Sequence, residues 1–132
     1  MSKNSTTAIF DSIGLTKNYH QLPKVYKGFV LVLLNEERHL VNSLIEQVET
    51  AQWDELMYLL HKYRGQVLNV GAIGLASKME ELEVAVSAAD PGDMSWLKAE
   101  VQLIRQLWMQ TSIELRGFAK AHFPEELDHL PP

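Results

Sequence analysis

The chain has 132 residues, no cysteine and a formal net charge of -5, with 17 acidic residues against 12 Lys and Arg. That length suits one domain with its own core, and the lack of cysteine excludes a disulfide framework and a Cys-ligated zinc site. The acidic balance argues against nucleic acid as a partner, the longest apolar run (residues 29–34) is too short to cross a bilayer, and the start "MSKNSTTAIFDS" lacks a signal-peptide core. A cytoplasmic protein that neither spans nor binds a membrane is the expectation.

Glycine and proline fall between segments of helical periodicity, and no segment reads as a strand. Residues 1–20 form a polar, partly ordered N-terminal segment with some helix. From Pro23 the apolar set Val30, Leu33, Leu34, Val41, Leu44, Ile45 and Val48 marks one long helix or two end to end, with a bend at "NEER", residues 35–38. After a joint at residues 50–52, Leu56, Leu59, Leu60, Tyr63, Val67 and Val70 repeat at threes and fours over four turns.

Gly71 suits the C-terminal end of that helix, and a new stripe begins at once with Leu75, Met79, Leu82 and Val86. A connection so short demands an antiparallel hairpin. "DPGD" at residues 90–93 breaks the second arm, and Asp93 or Ser95 is placed to cap the next helix. There Leu97, Val101, Ile104, Trp108, Thr111, Leu115 and Phe118 form a bundle seam. The economical fold is all-α, an antiparallel four-helix bundle over residues 21–120 with an additional N-terminal helical segment. Residues 121–132, "AHFPEELDHLPP", read as a tail with about one turn of helix.

The candidate site is "LHKYRGQVLNVGA", residues 60–72. At 100° per residue, His61 lies roughly 150° from the centre of its helix's core face and so faces solvent. An idle surface histidine would leave unexplained the apolar Met57 and Leu68 on the same outer face and the mid-helix Gly65, which costs roughly 1 kcal/mol relative to alanine. A docking patch around a reactive imidazole accounts for all three, with Tyr58 and Lys62 at its edges. Gly65, one turn on, leaves a notch for an approaching partner, and the Arg64 guanidinium suits a phosphoryl group. If the hairpin turns near Ala72, Glu83 lies level with His61, where its carboxylate can accept the Nδ1 proton and leave Nε2 as nucleophile.

These residues resemble the histidine-containing phosphotransfer (HPt) domains of two-component phosphorelays. That family's motif is a histidine, two residues, a lysine, a glycine, usually a serine, and then an apolar-Gly-Ala turn. Here it stands as His61, Lys62, Tyr63, Arg64, Gly65, Gln66 and then "NVGA" at residues 69–72, flanked by "AQWDELMYLLHKYRG" and "GLASKMEELE". The similarity runs loosely from Tyr26 to about Leu115. It implies a phosphocarrier, not an enzyme: His61 accepts a phosphoryl group from a receiver-domain aspartate and passes it to another receiver. The partners implied are the receiver domains of a hybrid histidine kinase and of a response regulator. Arg64 would contact the phosphoryl oxygens, Gly65 permit approach and Glu83 orient the ring. The resemblance implies no cofactor on this chain, the Mg²⁺ belonging to the receiver. Arg64 and Gln66 depart from the usual lysine and serine. On the helical wheel Gln66 lies about 140° from His61, out of reach of a phosphoryl group there.

The alternatives are a degraded HPt-like adaptor that binds a receiver or kinase without carrying phosphate, a purely structural helical adaptor, and a metal-binding bundle. Glu-x-x-His does occur at Glu36–His39 and at Glu126–His129, but no inward-facing glutamates recur at matching heights. The small apolar patch has a use already, so a monomer is expected.

Overall fold

The computed structural model describes residues 10–130, and those residues are helical with short connections. In chain order the helices are α1 (Ser12–Gln21), α2 (Pro23–Asn35), α3 (Glu37–Glu49), α4 (Trp53–Asn69), α5 (Ile73–Ala88), α6 (Leu97–His122) and α7 (Pro124–Asp128). The bend expected at residues 35–38 is a break. Asn35 ends α2, and Glu36, with its N–H directed to the carbonyls of the last turn, separates it from α3.

One continuous core joins these elements. Leu33, Leu40, Leu44, Leu56, Leu60, Leu75, Met79, Leu82, Leu97, Ile104 and Leu115 are all essentially inaccessible to solvent. All but Leu40 are residues that the three-and-four spacing assigned to the inner faces, and burying a leucine of this kind is worth roughly 1.5–3 kcal/mol. Along the chain, α4 packs on α3 and α5, and α6 packs on α2, α3 and α5. No helix among the described residues is long and apolar enough to cross a membrane.

Of the segment 1–20, residues 1–9 lie outside the described residues, as do residues 131–132 of the tail. From Phe10 onward the chain is part of the core: Phe10 and Leu15 are buried, and Asp11 caps α1 by accepting from the Gly14 N–H at 2.9 Å. The Asp11 N–H donates to the Gly71 carbonyl at 2.8 Å, tying the start of α1 to the turn between α4 and α5. The tail contributes the single short helix α7, held to α2 by the Lys27–Glu126 ion pair at 2.9 Å.

The start of α6 differs from expectation. Neither Asp93 nor Ser95 caps it; the cap position is Trp96, with no side-chain hydrogen bond. A turn intervenes, in which Leu97 N–H reaches the Met94 carbonyl and Trp96 Nε1–H donates to the Asp93 carbonyl at 2.9 Å. Trp96 already has helical dihedrals, φ -68° and ψ -19°, so the chain enters the helix through backbone and indole contacts.

Candidate functional site

α4 and α5 are joined by Val70, Gly71 and Ala72 alone. Gly71 has φ +83°, and the N–H groups of Gly71 and Ala72 close on the carbonyls of Leu68 and Val67. The left-handed glycine reverses the chain within three residues, so α5 returns along α4. That reversal sets the register expected from sequence: the His61 Nδ1 and Glu83 Oε1 atoms are 3.3 Å apart.

His61 stands on the outer face of α4 with 72% of its side chain exposed, between the buried Leu60 and Tyr63. Its Nε2 edge is therefore available to a partner. Glu83 is only 15% exposed and Arg64 24%, so both work in a less hydrated environment than the imidazole they flank. The Arg64 Nε–H donates to Glu83 Oε2 at 2.6 Å, and Arg64 Nη2 lies 3.0 Å from His61 Nδ1. The hydrogen bond it donates to Glu83 raises the guanidinium pKa, which keeps Arg64 charged at any pH of interest.

Gly65 is exposed, and a Cβ built on it meets nothing within 4 Å. The notch beside His61 is open space. Around it, Tyr58 is 58% and Leu68 49% exposed, while Lys62 is exposed with its Nζ 5.5 Å from the centre of the Tyr63 ring. Met57 departs from its expected place: it is half-buried and packed against the core. Of the apolar residues expected around the notch, Tyr58 and Leu68 stay exposed. Gln66 is half-buried, and its Oε1 has no hydrogen-bond partner among the described residues.

The site thus brings together His61, Arg64, Gly65 and Glu83. The contact that sequence reasoning missed is the one from Arg64 to Glu83 and back to Nδ1. Arg64 was expected to reach outward to a phosphoryl group, yet a half-buried carboxylate from the neighbouring helix provides a nearer partner. The signal was present in the number of the glutamate, since a residue level with His61 also lies within an arginine's reach of position 64.

Among the described residues no group of three or more His, Asp or Glu side chains is placed to hold an ion, and Glu126 of the second Glu-x-x-His string is paired with Lys27. The arrangement can instead present a nucleophilic imidazole nitrogen to a visitor, with a carboxylate behind the ring and a fixed cation beside it. The chain matches no protein-family model, no curated protein and no solved structure, so this geometry is the ground on which a function is read.

Proposed function

We propose that the protein is a phosphorelay intermediate of the HPt kind, which accepts a phosphoryl group on His61 from a receiver-domain aspartate and yields it to a second receiver. The observation that carries this reading is the exposed imidazole with a buried-side carboxylate at Nδ1 and an open notch at Gly65. In this reading α2 with α3, α4, α5 and α6 are the four arms of an antiparallel bundle, with α1 and α7 as additions at its ends.

The chemistry follows from the groups present. With its proton on Nδ1, the neutral ring directs the Nε2 lone pair at phosphorus. The N–P bond forms as the P–O bond to the receiver aspartate breaks, and the aspartate leaves with the electron pair. The ring keeps its Nδ1 proton and becomes cationic, and Glu83 faces that charge at 3.3 Å. The proton count is unchanged, and the reaction reverses readily toward another receiver. The receiver supplies the Mg²⁺ and the remaining groups, so this chain is a substrate and carrier.

The test is transfer from a panel of receiver domains carrying labelled aspartyl phosphate. Label appearing on this protein, with loss from the donor at a matching rate, supports the reading. A receiver that binds without transferring label would replace it with that of an adaptor.

A further inference from the structure

Two groups contend for one atom in this site. Arg64 Nη2 is 3.0 Å and Glu83 Oε1 3.3 Å from His61 Nδ1. A guanidinium can only donate and a carboxylate can only accept, while Nδ1 offers in the ring plane either a lone pair or a hydrogen. The two hydrogen bonds therefore exclude each other. When Arg64 donates, Nδ1 is bare and the neutral ring carries its proton on Nε2, where no lone pair remains to attack phosphorus. When Glu83 accepts, Nδ1 holds the proton and Nε2 is the nucleophile. The shorter distance belongs to Arg64.

We propose that Arg64 is a latch on the His61 tautomer: at rest its Nη2 on Nδ1 keeps the imidazole in the unreactive Nε2–H form, and the oxygens of an arriving phosphoryl group draw the guanidinium away. The latch rests on the phosphocarrier reading for its purpose, though its geometry stands without it. The Arg64 Nε–H donates to Glu83 Oε2 at 2.6 Å, a second bond that can hold the guanidinium near the site when Nη2 leaves Nδ1. Once Nη2 leaves, Glu83 Oε1 is already in place to accept from Nδ1. The proton moves from Nε2 to Nδ1 through solvent, which the exposure of the ring permits. One arginine thereby couples the arrival of the phosphoryl group to the appearance of the nucleophile. It acts here as a positioning residue, and it keeps the exposed imidazole unreactive toward small electrophiles between visits.

Nitrogen NMR of the His61 ring, at about pH 8.5 where an ordinary imidazole is neutral, reads the tautomer directly. Wild-type protein should show a protonated Nε2 and a bare Nδ1. Arg64→Met, which keeps the aliphatic stem and removes the donors, should exchange the two resonances. An unchanged tautomer in Arg64→Met with helicity intact, or a wild-type ring already protonated on Nδ1, would overturn the latch. In a second arm, wild type is mixed with a receiver domain treated with beryllofluoride, a phosphoryl mimic. Nδ1 should gain the proton as the Tyr58 and Leu68 amides shift on binding. Amide shifts with no change of tautomer would overturn the release step. The first arm needs no phosphoryl donor or receiver, so the latch can fail while transfer succeeds, or hold while the carrier reading fails.

Discussion

At the residue scale Gly65 is a site where stability and the proposed docking pull in opposite directions. It lies inside a helix, where glycine is less favourable than alanine by about 0.8–1.0 kcal/mol, and the space a Cβ would enter is empty. Gly65→Ala should therefore raise stability by roughly 0.5–1 kcal/mol in urea unfolding. Gly65→Leu, which fills the notch, should slow phosphoryl acceptance by about tenfold or more, the effect of about 1.4 kcal/mol, while leaving the unfolding midpoint near that of wild type. Transfer at the parent rate in Gly65→Leu would mean the partner does not approach over this face. The direction of His61 and the height of Glu83 were legible in the sequence, because a regular helix and a three-residue turn leave little freedom. The pose of Arg64 was not. Its guanidinium goes wherever the best acceptor lies, and that acceptor sits on a different helix.

Among the elements, the hairpin turn and the α3–α6 contact carry distinct tests. Gly71 has φ +83°, and a Cβ there would come within 3.0 Å of the Asp11 carbonyl, whose own residue donates back to Gly71. Gly71→Ala should cost about 1–2 kcal/mol from the left-handed backbone alone, and more if Asp11 is displaced. A midpoint equal to wild type would contradict the turn. On the other side, Glu37 at the start of α3 accepts from Arg116 Nη2 at 2.6 Å and from Ser112 on α6. Partial burial pushes the Glu37 carboxyl upward, but the hydrogen bonds from Arg116 and Ser112 outweigh it and hold the pKa below the ordinary 4.5. A lowered folded-state value means a stabilising contribution that is complete above about pH 4.5 and is lost as pH falls through the folded pKa. Glu37→Gln should thus cost on the order of 1 kcal/mol at neutral pH and progressively less in acid. Equal losses at pH 7 and at about pH 3 would refute this. The break at Glu36 was readable from the thinning apolar stripe, and a helical N-terminal segment was expected, whereas the docking of α1 on the core was not legible. The helix buries one side chain, Leu15, with Phe10 buried just before it, too few to display a period, and its docking depends on a backbone bond to a turn 60 residues away. The misassigned cap of α6 has a similar cause, since Trp96 binds the Asp93 carbonyl by its indole, a contact no capping rule anticipates.

For the whole molecule, two neighbours in sequence separate folding from the proposed function. Leu60 is fully buried and His61 is mostly exposed, a difference of one residue and 100° around α4. Leu60→Ala should cost roughly 2–5 kcal/mol, while His61→Gln should stay within about 0.5 kcal/mol of wild type. The Leu-rich helical core was legible because its spacing repeats over many turns. The proposed function rests on the chemistry the fold leaves uncovered, at the outer face of α4. The central claim is that His61 carries the phosphoryl group, and the chemistry of the label tests it most directly. After incubation with a phosphorylated receiver, wild-type protein should hold label that is lost in acid and kept in base, mapped to the His61 peptide, and His61→Gln should hold none. Label that survives acid, or that persists in a folded His61→Gln, would contradict the account.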